Sequence, residues 1–138
     1  MKSGTLDVRA RVDVRDDSDL VVARRLVRQL GAAEKLSTAA IEALATAVTE
    51  LGRNIVVHAG SGTLLFGTAT DGVRRGVSVI ARDAGPGIDD VARAMRDGYS
   101  SGDGLGLGLP SARRLVDEFE IASTLGAGTT VTVTKWRA

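Results

Sequence analysis

The sequence has no cysteine, so disulfide bonds and cysteine-ligated metal sites are excluded. Aromatic residues make up only 3% of the chain, so a hydrophobic core would have to be built from aliphatic side chains. The formal net charge is +1, which gives no electrostatic argument for binding nucleic acid or an anionic membrane. No apolar run approaches the roughly 18 residues of a membrane span. We therefore expect no nucleic acid and no membrane among the partners.

Glycine is the residue that the sequence has in excess. Its 17 glycines cluster instead of scattering, and clustered glycine indicates loops in which the backbone passes close to another group. The length of 138 residues suits one domain with one buried core, so residues 1–138 are expected to form a single domain. The first ten residues alternate and carry charges, unlike a signal peptide, so a cytoplasmic location is expected.

Hydrophobic periodicity predicts the element order β-α-α-β-β-α-α-β-β. Alternating polar and apolar residues predict strands over 6–14, 63–70, 73–82, 119–125 and 129–136. Helical spacing and capping residues predict helices over 20–30, 38–58, 89–96 and 110–118, the first of them ended by Gly31. Consecutive hairpins favour a mixed, largely antiparallel sheet with the helices on one face, an α+β two-layer sandwich. The other face of the sheet would be solvated or used for dimerisation.

Glu50 and Asn54 lie four residues apart on the second predicted helix and therefore on the same side of it. An amide oxygen suits Mg²⁺, a hard cation, and a carboxylate can orient or deprotonate an attacking hydroxyl. The alternative is a solvated helix face, because such pairs are common. Gly52 lies between them at a cost of roughly 1 kcal/mol relative to alanine, and it either allows close helix packing or serves no purpose.

Asp83 ends a predicted strand and is followed by Gly85 and Gly87. A carboxylate at this place could accept a hydrogen bond from an exocyclic amine such as that of adenine, and the glycines would let the backbone approach the base. The alternative is an ordinary turn that begins at an aspartate.

A second glycine-rich stretch precedes the helix predicted from Pro110. Gly104, Gly106 and Gly108 alternate with leucines, and free backbone N–H groups next to a helix start favour phosphate binding. The spacing is that of neither a P-loop nor a dinucleotide-binding fingerprint, and a flexible loop is the alternative. The preceding segment 99–103 could close over a nucleotide as a lid.

Taken together and in this order, these motifs resemble those of the Bergerat-fold (GHKL) ATPases, the superfamily that includes gyrase B and the histidine kinases. Segment 49–54 is similar to the N box, and segments 83–87 and 104–108 are similar to the two glycine boxes. Gly128-Thr129 is similar to the glycine–threonine element before the last strand. Each motif is weak alone, but the ordered set is specific and spans residues 50–129.

The chain is more closely similar to the RsbT-type serine/threonine kinases of bacterial partner-switching stress signalling. The similarity lies in the N box, in segments 97–100, 104–110 and 115–119, and in the ending Lys135-Trp136. It implies a kinase that phosphorylates serine or threonine on STAS-domain proteins. The resemblance also implies that the released kinase binds and activates a PP2C-type phosphatase.

The same resemblance assigns roles to residues of this sequence. Glu50 would position the acceptor hydroxyl as the catalytic residue, and Asn54 would ligate Mg²⁺ bound with ATP. Asp83 would hold the adenine amine, with support from Thr129. The implied ATP-binding residues are Asn54, Asp83, Gly85, Gly87, Gly104, Leu105, Gly106, Leu107, Gly108 and Thr129.

Two residues and the branch of the family stay open. Arg53 either contacts the phosphates or is exposed to solvent, and His58 is expected to have a surface or packing role and is not assigned as a phosphoacceptor. One alternative function is an anti-sigma factor that sequesters a sigma factor and phosphorylates a STAS antagonist. Another is a non-catalytic nucleotide-binding regulator of a phosphatase. A histidine kinase is disfavoured, because the chain opens with a predicted strand and not with a helical segment that carries a histidine.

Overall fold

The computed structural model describes residues 5–88, 91, 95 and 108–138. Most of the helix expected over 89–96 and all of segment 99–103 lie outside the described residues. The described elements are β1 (Thr5–Val14), α1 (Asp17–Ala33), α2 (Thr38–Asn54), β2 (Gly62–Asp71), β3 (Arg74–Asp83), α3 (Leu109–Leu115), β4 (Glu118–Thr124) and β5 (Gly128–Trp136). A π-helical turn, Ile55–Ala59, continues α2. No described helix has the length and apolar character needed to cross a membrane.

The strands form one sheet in the order β1-β2-β3-β5-β4, and each neighbouring pair is antiparallel. The predicted α+β fold with a largely antiparallel sheet is confirmed, and all four pairings between the described strands are antiparallel. The strands β2 and β3 form a hairpin, as do β4 and β5. Between β1 and β2 the chain runs through two packed helices, α1 and α2, and β2 then pairs antiparallel with β1.

The core lies between the helices and one face of the sheet. Every second residue of a strand faces the helices. On this face Leu64 and Phe66 of β2 and Val77 and Val79 of β3 are fully buried. The side chains of α2 that meet them are also aliphatic, chiefly Leu44, Val48 and Leu51. The composition is therefore consistent with how the core is filled, with Phe66 as its one fully buried aromatic side chain among the described residues.

Helix α1 begins at a capped end. The Asp16 side chain accepts a hydrogen bond from the Ser18 amide at 2.9 Å, and the Asp19 side chain accepts one from the Asp16 amide, which completes a capping box. Hydrogen bonds from Ser18 hold the pKa of Asp16 below its usual value. The predicted N-cap region is therefore correct, and it fixes the direction in which α1 leaves β1.

Helix α1 does not end where we predicted. Gly31 is buried within the helix, and a Cβ on it would lie 2.6 Å from Cγ1 of Ile41 on α2. The helix continues to Ala33, and Lys35 adopts the left-handed conformation with φ of 63°. The prediction was wrong because Gly31, which has no side chain, allows α1 and α2 to pack closely and does not form a turn.

Helix α3 also ends earlier than predicted, at Leu115 instead of residue 118. Val116 is already extended, with φ of −122° and ψ of 165°. Asp117 then accepts a hydrogen bond from the Trp136 amide at 2.7 Å, so this stretch joins β5 and cannot continue a helix.

Gly52 packs α2 closely against α1. It is buried, and a Cβ on it would overlap Leu20, which is itself only 1% exposed. We expect Gly52→Val to lower the free energy of unfolding by about 1–3 kcal/mol, because the extra methyl groups overpack this contact. Urea unfolding measures the change. Thr46→Val at an exposed position of the same helix is the control, and equal stability of the two variants would contradict the packing role.

Candidate nucleotide-binding site

A pocket opens where the end of α2 faces the ends of β3 and β5. Four of its lining residues are polar: Asn54, His58, Asp83 and Thr129. The other lining residues are apolar or glycine: Leu51, Ile55, Ala81, Pro86, Gly87, Ile88, Leu109 and Val131. A cleft with apolar walls and a few polar groups is the usual form of a small-molecule site.

The strand register explains why two of the polar residues meet. Asp83 and Thr129 are direct partners across β3 and β5, the last pair of that ladder. Each lies two residues from a buried residue of its strand, Ala81 and Val131 respectively, so both face the helices at the open end of the core. The sheet therefore delivers a carboxylate and a hydroxyl to the same wall of the pocket.

Asp83 has hydrogen-bonding capacity left for a ligand. Its Oδ1 accepts a hydrogen bond from the Gly85 amide at 2.9 Å, which fixes the turn after β3. Its second oxygen has no hydrogen-bond partner within the part of the chain that the structure describes. Since the side chain lines the pocket, that oxygen can accept a hydrogen bond from a bound molecule.

The glycines after Asp83 are required by neighbouring protein groups. A Cβ on Gly85 would lie 2.7 Å from Cβ of Ala59 in the π-helical turn. Gly87 has φ of 77°, and a Cβ there would overlap the backbone carbonyl of Thr124. Gly87 also lines the pocket, whereas Gly85 does not. The two glycines therefore let the turn pack between two other segments, and the close approach of this backbone to a base stays a prediction.

Asn54 is the last residue of α2, and its side chain lines the pocket. Among the described residues none forms a hydrogen bond with the side-chain amide of Asn54, so the oxygen of this amide can bind a metal ion. The chain then enters the π-helical turn, an uncommon conformation that is frequent at functional sites.

His58 also lines the pocket, although we expected it to have only a surface or packing role. It follows Asn54 by four residues, so the spacing alone could have placed both side chains on one side of the chain. Its position in the wall makes it a site residue that the sequence analysis missed.

Glu50 lies one helical turn before Asn54 and contacts Gly108, not the pocket wall. Gly108 has φ of 82°, and a Cβ on it would overlap the Glu50 carboxylate, whose side chain is 29% exposed. Arg53 places Nη1 at 3.6 Å from Oε1 of Glu50 and is 59% exposed, so its observed partner is this carboxylate. Gly104, Leu105, Gly106 and Leu107 lie outside the described residues.

The polar groups that line the pocket are compatible with a magnesium ion held mainly by nucleotide phosphates. Across residues 5–88, 91, 95 and 108–138, no group of three or more acidic, histidine or cysteine side chains is placed to hold a metal. Mg²⁺ is commonly bound through one or two protein oxygens together with substrate phosphates and water. The amide of Asn54 can supply such an oxygen.

Ser123 of β4 is a further residue that the sequence analysis missed. Its Oγ lies 2.7 Å from the Ile88 amide nitrogen, 2.8 Å from Oγ1 of Thr129 and 3.2 Å from the Gly128 carbonyl oxygen. It thereby joins two parts of the pocket wall, the turn after β3 and the start of β5. The pairing of β4 with β5 brings Ser123 next to Thr129, and the turn after β3 brings Ile88 to the same oxygen.

Comparison with known proteins agrees with this geometry. Residues 14–135 match the family of histidine kinase-like ATPase domains. The chain is 39% identical to the serine/threonine-protein kinase RsbT of Bacillus subtilis over 125 residues, which cover 91% of this chain and 94% of that protein. It is 31% identical to an anti-sigma F factor of a Thermoanaerobacter species over 97 residues, 66% of each chain. The chain therefore belongs to the histidine kinase-like ATPase family.

Proposed function

We propose that this chain is an ATP- and Mg²⁺-dependent protein serine/threonine kinase of a partner-switching pathway. It phosphorylates STAS-domain proteins and, when released from them, binds and activates a PP2C-type phosphatase in the cytoplasm. Family membership and the similarity to a serine/threonine kinase over most of both chains support this proposal. The observation that carries it is one apolar pocket in which Asp83 and Asn54 both retain unused hydrogen-bonding capacity.

In this proposal the protein holds the nucleotide at the base and at the phosphates. Asp83 accepts a hydrogen bond from the exocyclic amine of adenine, and Thr129, its partner across β3 and β5, supports the same edge of the base. Asn54 ligates Mg²⁺ together with the phosphates, and the ion offsets their charge when it is bound. The amides of the segment from Gly104 through Leu105, Gly106 and Leu107 to Gly108 wrap the phosphates, and Arg53 is an additional candidate contact.

Glu50 has the catalytic role in this proposal. Phosphoryl transfer depends mainly on positioning and charge neutralisation, so a carboxylate that orients the acceptor hydroxyl is sufficient protein chemistry. Glu50 lies one turn from Asn54 on the same helix and beside Gly108, where the glycine-rich segment ends. These two neighbours support a role for Glu50 close to the proposed metal ligand and the end of the glycine-rich segment.

An anti-sigma factor is the second candidate function. The 31% identity to an anti-sigma F factor favours it, but the matched region covers only 66% of either chain. The RsbT match covers 94% of that protein, which is why we favour the kinase that activates a phosphatase. A pull-down with a sigma factor and with a PP2C-type phosphatase distinguishes the two, and capture of the sigma factor alone would reverse our preference.

Asn54→Ala separates catalysis from phosphatase activation. We expect it to lower label transfer from ATP to a STAS-domain partner by at least about 100-fold, since charge stabilisation by a metal ion is worth several kcal/mol. Binding and activation of the phosphatase should remain, because they do not depend on transfer. Gln29→Ala, which removes an exposed amide of α1, is the matched control.

Three results would contradict the proposed function or the proposed role of Asn54. Absence of transfer by the native chain, with the phosphatase still activated, would make the protein a non-catalytic regulator. Full transfer by Asn54→Ala would remove Asn54 from the metal site. Loss of phosphatase activation in a folded Asn54→Ala variant would show that the two activities are not separable.

A further inference from the structure

A second groove lies at the end of the sheet opposite to the nucleotide pocket. Its volume is about 740 Å³, and its walls come from the start of α2, the end of α3 and the end of β5. Helix α2 begins beside this groove and ends at Asn54 in the pocket. At 1.5 Å per residue this helix separates the two places by about 24 Å, so a segment bound in the groove leaves the pocket open.

Positive charge is concentrated in this groove, which we call the basic groove. Among its lining residues one, Asp117, is anionic and four are cationic: Arg74, Arg114, Lys135 and Arg137. The whole chain has a formal net charge of only +1, so the groove is far more basic than the chain as a whole. The cations remain in excess even when a terminal carboxylate on Ala138, which also lines the groove, is counted.

The protein neutralises only part of this charge. One oxygen of Asp117 accepts a hydrogen bond from the Trp136 amide at 2.7 Å, and the other lies 3.5 Å from Nζ of Lys135. Arg137 is exposed, and within the part of the chain that the structure describes its guanidinium has neither an ion pair nor a hydrogen bond. The charge of Arg137 is therefore available to a bound molecule.

The one tryptophan of the chain, Trp136, also lines the basic groove. The guanidinium of Arg74 lies 4.3 Å from the centre of its ring. Tryptophan and arginine are enriched among the residues that contribute most of the binding energy at protein interfaces. Leu115 and three alanines from the first turns of α2 add apolar surface to the same groove. Apolar surface beside exposed cations suits a protein segment that carries both apolar and acidic side chains.

We propose that the basic groove is a docking surface for an acidic segment of a protein partner. Carboxylates of the segment pair with Arg114 and Arg137, and its apolar side chains pack on Leu115 and the alanines of α2. The proposal goes beyond the proposed function, because this surface and the nucleotide pocket lie at opposite ends of α2. It also gives a role to the ending Lys135-Trp136, which nucleotide binding does not use.

Trp136 fluorescence reports directly on the basic groove, because the chain has no other tryptophan. The probe is a short synthetic peptide of glutamate and leucine, and the comparison peptide has glutamine in place of every glutamate. We expect a saturable fluorescence change with the acidic peptide and at least about tenfold weaker binding of the neutral one, because several ion pairs are lost. Added salt should weaken binding of the acidic peptide, as it does for exposed charges.

Arg137→Glu should weaken binding of the acidic peptide by about three- to tenfold, because it replaces attraction by repulsion. Arg137→Lys keeps the charge and should bind within about twofold of the native chain. Arg25→Glu is the matched control, since Arg25 is exposed on α1 outside the groove and its substitution changes the net charge equally. This control should keep native binding of the peptide, and all three variants should keep native affinity for Mg·ATP.

Equal weakening by Arg137→Glu and Arg25→Glu would mean that the peptide responds only to net charge, and it would overturn the proposal. Equal binding of the acidic and neutral peptides, or no saturable change with either, would also overturn it. Tighter binding of a single-stranded oligonucleotide than of the acidic peptide would make the groove a nucleic-acid site instead. Selective peptide binding by a chain that transfers no phosphoryl group would support this proposal and reject the proposed function.

Discussion

Asp83→Asn is expected to raise the dissociation constant for Mg·ATP by about 10- to 100-fold, the range for losing a hydrogen bond to a charged group. The Asp83 carboxylate has two accepting oxygens, and the Gly85 amide at 2.9 Å uses one of them. Asparagine has only one accepting oxygen, so the variant can satisfy the turn or the adenine amine but not both. Calorimetric titration measures the affinity directly.

Thermal unfolding provides the second readout and the control. A ligand that binds only the folded state raises the melting temperature, so the rise caused by Mg·ATP should shrink strongly in Asp83→Asn. Asp13→Asn changes an exposed strand aspartate that pairs with Arg11 at 3.0 Å, and it should keep the full rise. An Asp83→Asn variant with native affinity would mean that this carboxylate does not bind the base.

Glu50→Gln is expected to lower the rate of phosphoryl transfer by about 10²- to 10⁴-fold, the usual contribution of a positioned acid or base. Glutamine keeps the size of the side chain, so the contact with Gly108 is retained, but it can neither carry the charge nor take a proton. The dissociation constant for Mg·ATP should change by less than about threefold, because Glu50 is not among the residues that line the pocket. Single-turnover transfer to a STAS-domain partner measures the rate.

Glu42→Gln is the matched control for Glu50. Both glutamates lie on α2, but Glu42 is exposed and pairs with Arg28 of α1 at 3.1 Å. The hydrogen bond from Arg28 holds the pKa of Glu42 below its usual value, so the control also removes an ionised carboxylate. Native transfer by Glu50→Gln, or equal loss in both variants, would contradict a catalytic role for Glu50.

The strands and the main helices could be predicted because their signals are local. Each strand alternates and each helix repeats with its own period, so the residues that face the core are visible in the sequence. The hairpin turn at Asp71-Gly72 was equally readable, and Gly72 adopts the positive φ of 61° that such a turn needs. Local patterns of this kind fix which elements form and which face of each is buried.

Glycines that serve a distant contact were predicted wrongly, as for Gly31, or left with open alternatives, as for Gly52. Gly31 and Gly52 both look like helix breakers in isolation, yet each makes room for a side chain of the neighbouring helix, Ile41 and Leu20 respectively. Gly85 similarly accommodates Ala59. The sequence does not show which neighbouring side chain a glycine accommodates, so conformational freedom is the default interpretation of that glycine.

Some residues of the candidate site could likewise be predicted from the sequence, and others could not. Glu50, Asn54, Asp83 and Thr129 belong to short motifs that can be read in order along the chain, and the pocket gathers three of them. Ser123 belongs to no motif that we identified, because its contact with Ile88, 35 residues away, arises only when the turn after β3 packs against β4.

The central claim is that separated segments of this chain converge on one magnesium nucleotide, and amide chemical-shift mapping during a Mg·ATP titration tests it most directly. We predict saturable shifts concentrated at Asn54, Asp83, Ile88 and Thr129, with Ser78 and Thr134 on the opposite sheet face unchanged. Shifts that scatter over the surface, or that concentrate on that opposite face, would contradict it.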